Sequence, residues 1–461
     1  MKNLLTYTVA ATLGLVNLPA HAQDFDLPPD LVISGQESVL TQEDTVETTG
    51  VSEEKARSAT LATEFRAFHF DELSGGNSAA LRVSAHYFGT FELSDRASLL
   101  FNLRGRIERA EGQTFSLDQS VNLDVQELAI SYTVSPQVSL QFGRINIRNG
   151  VAVGFNPTDW FKDNSLVTAE SAAPADRRRE RLGVFAVTGT ATVGNTLLQM
   201  GYRPKISAST GSVFSDMDSI GLGLDRTNPS DAFFIKATPQ FGSNLSVTGN
   251  FLLNDGDPGL GFEVSGTIGD NLVLYGEAFA EKRLSIASEA LAGGLGSAAF
   301  QQGLGVSNQK DWELTAALGL NWALPQSFVG ARDISVVLEY HLNTAGLTGS
   351  QIDTLASATG ADGLAAGAVY GTASRRQEPL ARNQIFTRIA WNDFWGDSDL
   401  SALGFYVPAD GSGLAQISVD VPIGQNATLN LRGISTFGSS TSIYGANPTR
   451  RSLQLGMTYV F

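Results

Sequence analysis

Ten residues at the carboxyl end alternate without a break. Leu453, Leu455, Met457, Tyr459 and Phe461 form one series, and Ser452, Gln454, Gly456, Thr458 and Val460 the other. Successive side chains of an extended strand point to opposite faces, so this spacing sets an apolar stripe back to back with a small or polar one. The same period returns in Ala97, Leu99, Phe101, Leu103, Gly105 and Ile107, opposed by Ser98, Asn102, Arg104, Arg106 and Glu108. It returns again over 312–322 and 334–343. Beyond the first residues there is no apolar run of about 20, the length a helix needs to cross a bilayer, so a helical membrane protein is excluded. A mean hydropathy of -0.02 is what alternating strands produce, since half of their positions are polar. The pattern leaves two fold classes, a soluble β-rich protein and a transmembrane β-barrel.

The amino terminus and the aromatic ends of the segments together favour the barrel. Lys2 precedes an apolar run from Leu4 to Val16, then Ala20-His21-Ala22 and Gln23, which reads as a secretory signal peptide over 1–22. With no Cys anywhere, an exported chain of this kind has no disulfide framework. Trp312 and Trp322 stand at the two ends of one eleven-residue segment, where the two interfaces of a membrane lie if the strand crosses it tilted. The expected fold is therefore all-β, a transmembrane antiparallel barrel over 58–461. Tyr459 and Phe461, an aromatic end to the last strand, suit the signal that the barrel-assembly machinery of the outer membrane reads.

Segments of this type number eighteen, near 61–70, 80–93, 97–109, 122–134, 137–147, 182–192, 196–204, 232–240, 245–253, 260–268, 271–282, 312–323, 333–343, 384–392, 400–407, 414–421, 427–436 and 452–461. The connections 324–332 and 393–399 are ambiguous, so a count of sixteen stays open. Tight turns such as Ser94-Asp95-Arg96 and Gly269-Asp270 alternate with long linkers at 110–121, 148–181, 205–231, 283–311, 344–383 and 437–451. Short periplasmic turns and long extracellular loops are the habit of bacterial barrels, and a wall of this size encloses more space than its own side chains fill.

Parity assigns a mixed set of charges to the lumen. Arg66, Arg82, Arg104, Arg106, Arg203, Arg388 and Arg432 face inward as pore-lining residues, among Glu64, Glu108, Glu263, Glu277, Glu281, Glu339 and Asp420. Opposed charges of this kind suit a hydrated path for polar solutes, and they also merely solvate a wide wall. The connection after the fifth strand is long and aromatic, through Asp159, Trp160 and Phe161 to Arg177, Arg178, Arg179 and Arg181. It is expected to fold into the mouth or lumen as a constriction with the arginines as a positive collar. The alternative sets them at the outer rim against lipopolysaccharide phosphates.

Gly143-Arg144, Arg148 and Gly150, followed by the aromatic segment to Asp163-Asn164, resemble the alginate-export type of outer-membrane porin. The resemblance covers about 143–164 and the strand number. It implies eighteen strands and passage of an anionic polysaccharide through an arginine-rich lumen. The chain departs from that type in Asn156-Pro157-Thr158-Asp159 and in its many lumen carboxylates, which repel a polyuronate.

Residues 23–57 hold nine acidic residues against two basic ones and read as a flexible, acidic periplasmic arm. Glu43 to Thr48 is faintly like the coupling segment of active transporters, but too few residues precede the barrel for their plug domain. Gly396-Asp397-Ser398-Asp399-Leu400 is like a lipolytic serine block with no His after it, and His69, His86 and His341 show no metal-ligand spacing. The Gly/Ala-rich stretches 291–305 and 356–371 read as mobile caps. No enzyme, cofactor or metal is expected, and a formal net charge of -16 disfavours nucleic acid. The expected partners are outer-membrane lipid, lipopolysaccharide, the assembly machinery and a polar solute or polysaccharide. Three functions fit: a passive porin-like channel, a polymer exporter with periplasmic partners, and a non-conducting barrel.

Overall fold

The structure, a computed structural model, describes residues 58–112, 120–168, 170–207, 223–242 and 244–461. The signal peptide and acidic arm, like parts of the 110–121 and 205–231 linkers, lie outside the described residues. Eighteen strands form one antiparallel sheet in which each pairs with its sequence neighbours. They are β1 Ser58–Glu72, β2 Asn77–Ser94, β3 Ala97–Ala110, β4 Val121–Ser135, β5 Val138–Ile145, β6 Val184–Val193, β7 Thr196–Arg203, β8 Ala232–Pro239 and β9 Leu245–Asn254. There follow β10 Asp257–Ile268, β11 Leu272–Arg283, β12 Asp311–Ala323, β13 Asp333–Asn343, β14 Asn383–Trp395, β15 Ser398–Val407, β16 Ser412–Ile423, β17 Ala427–Phe437 and β18 Thr449–Val460. Pairing of β1 with β18, from Ala62 opposite Val460 to Phe70 opposite Ser452, closes the sheet. A closed sheet leaves no backbone donors along an open edge, which is the condition for crossing hydrocarbon.

The period-two stripes fall as the alternation requires. Leu453, Leu455, Met457 and Tyr459 are exposed on the outer wall, and Gln454 between them is 1% exposed and faces the lumen. On β12, Trp312, Leu318 and Trp322 are outside while Thr315 and Ala317 are buried inside. An apolar exterior over a polar interior is the reverse of a soluble fold, and it is stable only with lipid outside. Both ambiguous connections are on the short-turn side. Trp395 and Ser398 are joined by a two-residue turn, and 324–332 holds the short helix Gln326–Val329.

Two expectations about the loops change. Three connections on the long-loop side are tight hairpins, at 73–76, 255–256 and 408–411. Asp255 and Gly256 both take positive φ there, which is how a two-residue turn matches strand twist. The Gly/Ala-rich stretches are also not loose. They contribute the helices Ala298–Gly303 and Gly360–Arg376, which with Ile286–Ala290 and Gly349–Ala356 close over a core that includes Leu291, Phe300, Leu304, Leu347, Ile352 and Val369. Alanine is the best helix former. Ser297 caps one helix, and Thr348 with Gln351 makes a capping box on another.

Candidate functional site: a loop folded into the lumen

The connection between β5 and β6 leaves the wall and crosses the barrel interior. At its base, the Asn146 N–H donates to Glu127 Oε1 at 2.9 Å, and Arg144 Nε donates to the Gly183 carbonyl at 2.9 Å. Further in, the Leu182 N–H to the Ser165 carbonyl and the Val167 N–H to the Glu180 carbonyl join the outgoing and returning arms. The loop therefore has internal structure before it meets the far wall.

On one side it is held by two lumen carboxylates. Glu277 of β11 accepts the N–H groups of Val151 at 2.6 Å, Ala152 at 3.2 Å and Thr158 at 3.4 Å. Glu339 of β13 accepts those of Val153 at 2.5 Å and Gly154 at 2.9 Å, together with the Tyr275 hydroxyl at 2.7 Å. His341 Nε2 shares a 2.7 Å hydrogen bond with the same carboxylate. Five loop amides thus meet two buried carboxyl groups, each satisfying several donors at once. Two glycines permit the approach. A Cβ on Gly150, whose φ is +96°, meets Glu277 Oε2 at 2.6 Å, and one on Gly154 meets the Phe386 ring at 2.5 Å.

Aromatic packing fixes the middle of the loop. Trp160 lies 5.8 Å from Phe234 of β8 and 5.4 Å from Phe279 of β11, ring centre to ring centre, and Phe161 lies 5.7 Å from Phe234. Asp159 is buried and paired with Arg181. Burial pushes the Asp159 carboxyl up, but Arg181 and then Lys162 outweigh it and hold it below the usual carboxylate range.

The returning arm, with the helix Pro174–Arg179, reaches the opposite wall. Arg82 of β2 pairs with Glu108 and with loop residue Glu170; Arg104 of β3 pairs with loop residue Glu180. Arg432 of β17 donates to Asp176 at 2.7 Å, Gln454 of β18 to the Glu170 carbonyl at 2.7 Å, and Gln416 of β16 accepts the Ala172 N–H at 2.8 Å. The loop is bonded to the wall on both sides of the lumen.

The remaining candidates take these places. Arg66 pairs with Glu64 and Arg106 with Asp124 at 2.5 Å, both within the wall. Arg203 donates to Ser230 Oγ at 2.6 Å and its guanidinium lies 5.1 Å from the Phe161 ring centre. Arg388 is half-buried, on the inward parity of Phe386 and Ala390. Of the four loop arginines, Arg178 donates to the Ala152 carbonyl at 3.0 Å and to Asn156, Arg179 pairs with Asp176, and Arg181 with Asp159. Arg177 is half-buried. Tyr459 and Phe461 are exposed on the outer wall at the short-turn end, their rings 4.7 Å apart. Parity reasoning placed Glu277 in the lumen without its role as an anchor, and it missed Gln416 and Gln454, whose uncharged side chains carry no signal in a charge count.

The helical cap docks on this loop from outside. Arg375 donates to Asp163 at 2.8 Å and pairs with Glu289, and the Asn164 N–H donates to the Arg375 carbonyl at 3.0 Å. Glu378 accepts from Arg283 at 2.9 Å. Burial raises the Glu378 carboxyl, but Arg283 and then Arg376 hold it at about 2. A carboxyl lowered in the folded state contributes stability that is full above its ordinary value of 4.5 and is lost as pH falls toward 2. Amide-exchange protection over 373–382, corrected for the intrinsic pH dependence, is therefore expected to hold from neutrality to about pH 5 and to drop between about 4.5 and 2. Loss of protection already between 7 and 5 would show that Glu378 does not secure the cap.

No protein-family model matches the chain, and no curated protein does. Solved structures do. Acinetobacter baumannii OccAB1 is 12% identical, with 87% of this chain and 96% of that chain covered and a TM-score of 0.50. The outer membrane protein OprD of Pseudomonas aeruginosa is 9% identical over 87% of this chain and 94% of its own, with a TM-score of 0.46. Pseudomonas putida OprB is 9% identical over 88% and 95%, with a TM-score of 0.45. At such identities the likeness is one of fold, and the fold this chain shares is the closed antiparallel barrel of outer-membrane porins.

Proposed function

We propose that the protein is a passive channel of the Gram-negative outer membrane, conducting small polar solutes through a lumen narrowed by the loop between β5 and β6. The observation that carries this reading is the crossing of the lumen by that loop, bonded to Glu277 and Glu339 on one side and to Arg82, Arg104 and Arg432 on the other. A barrel serving only as an anchor needs no such anchored insert, whereas a selective pore needs a narrow section of fixed shape with charged groups along it. Beneath the base of the loop, Gln141, Thr188 and Gln199 line a polar vestibule of about 360 Å³ with Glu127 and Arg148. The arginines of β2 and β3 supply one charged side of the path, and their carboxylate partners balance them.

Single-channel recording of the purified, folded protein in a planar bilayer tests the proposal. Steady conductance is the expected result, and silence from protein shown to be folded and inserted would overturn it. Replacing Arg82, Arg104 and Arg106 by Gln leaves Glu108, Glu170, Glu180 and Asp124 without their partners, so the reversal potential in a salt gradient should move toward cations. An unmoved reversal potential would mean that ions do not pass this face.

A further inference from the structure

On the outer wall, near the long-loop ends of β16, β17, β18 and β1, the lipid-facing surface is cut by a groove of about 390 Å³. Strand register gives its shape. One row across the sheet runs Ile417, Gly433, Leu453 and His69, and the row nearer the strand ends runs Ala415, Ser435, Arg451 and Asp71. The next row inward is Val419, Leu431, Leu455 and Ala67, an ordinary apolar wall. At Gly433 the wall has no side chain, so a slot runs between Ile417 and Leu453, and a Cβ built on Gly433 meets nothing within 4 Å. Charged residues first appear one row above the slot, which puts its upper end at the boundary between hydrocarbon and headgroups.

Arg451 is exposed there, and among the described residues its side chain makes no hydrogen bond or ion pair. Asp71 is turned toward His69, at 3.4 Å. The lumen arginines Arg66, Arg82, Arg104, Arg106, Arg203 and Arg432 all have partners within the protein, so an unpaired guanidinium at the lipid boundary stands apart. The longest connections leave the barrel from this end, which makes it the extracellular one.

We propose that this groove binds a phosphorylated glycolipid of the outer leaflet, its phosphate on Arg451 and one acyl chain laid along Gly433. The proposal rests on the outer-membrane reading above. A slot continuous with an unpaired guanidinium matches an acyl chain continuous with a phosphate, and Arg meets phosphate through two parallel N–H bonds. A second copy of the chain would cover the apolar slot but would bring its own Arg451 toward the same boundary, with no anion for either.

Native mass spectrometry of the detergent-solubilised protein tests this, with lipid A, phosphate-free lipid A and phosphatidylglycerol as probes. One equivalent of lipid A should be retained. Removing the phosphates, or changing Arg451→Gln, should weaken binding by about tenfold, the scale of one charge-assisted bond. Gly433→Leu fills the slot without reaching the lumen and should weaken it similarly; if that variant misfolds, Arg451→Gln and the phosphate-free lipid still decide. Equal retention of phosphatidylglycerol and lipid A would overturn the proposal, as would binding indifferent to both substitutions. A Gly433→Leu variant that changes oligomeric state with lipid binding intact would assign the groove to a second copy instead. Both substitutions lie outside the lumen, so conductance in lipid A-free bilayers should match the unaltered protein; the lipid site and the channel reading can then fail separately.

Discussion

Replacing Glu277 and Glu339 together by Ala is expected to raise single-channel conductance several-fold and to broaden the current into a fluctuating one. The two carboxylates accept five backbone N–H groups from 151–158, and Glu339 also takes the Tyr275 hydroxyl. Hydrogen bonds of this kind contribute roughly 0.5–3 kcal/mol each depending on the charge of the acceptor, and amides left buried without acceptors cost about 1–3 kcal/mol. No local relaxation supplies two replacement acceptor groups, so the Val151–Gly154 segment should leave the β11–β13 wall and widen the lumen. The opposite anchor, at Arg82, Arg104 and Arg432, is untouched, and the barrel itself should still form. Amide exchange over 151–158 should rise in parallel with conductance. Conductance and exchange both unchanged would sink the view that this loop sets the narrow section. Glu277→Gln alone should have a smaller effect, since a carboxamide keeps one accepting oxygen.

The second large effect is expected from Arg181→Ala. Asp159, 1% exposed, is paired with Arg181 inside the loop. Removing one member of a buried pair strands the other, at a cost of about 3–5 kcal/mol. The loss should be seen in unfolding of the loop in detergent, followed by tryptophan fluorescence from Trp160 in its contact with Phe234 and Phe279. Adding Asp159→Asn to Arg181→Ala removes the stranded charge and should restore much of the loss. A double variant as unstable as the single one would show that Arg181 acts through another contact, such as its 3.2 Å bond to Gln377.

The wall was legible in the sequence because its grammar is local. A period of two over ten residues, as in 452–461, needs no distant partner to be recognised, and all eighteen strands lie where alternation places them. The inward parity of Arg82, Arg104 and Glu339 follows from the same rule. What parity cannot give is a partner across the lumen. Glu170 on Arg82 and Asp176 on Arg432 are meetings between a loop and a wall far apart in the chain, set by the three-dimensional path of the loop. The cap was misread for a different reason. Gly and Ala together look like a loose loop by composition, whereas in Gly360–Arg376 the apolar Ala365, Ala366, Val369 and Ala373 fall at helical spacing and are buried. The gaps at 254–259 and 408–413 were legible as breaks between strands, but alternation does not say how tight a turn is, here two residues at 255–256 and four at 408–411.

The seam between β1 and β18 has a kinetic meaning. Every other strand pair joins sequence neighbours, and so can form as a local hairpin, but Ala62 meets Val460 only after nearly the whole described chain is in place. In free-energy terms this is mild, since closing a longer loop adds only about 0.6 kcal/mol for each doubling of its length. In time it is demanding, because the reward for that search arrives all at once and last. Until it does, β1 and β18 are two unsatisfied edges of a curved ribbon, ready to pair with any other strand they meet. Productive assembly of this protein is therefore a race between one correct zipping event and many wrong ones, and a chaperoning surface that occupies both edges would decide the winner without adding anything to the finished barrel.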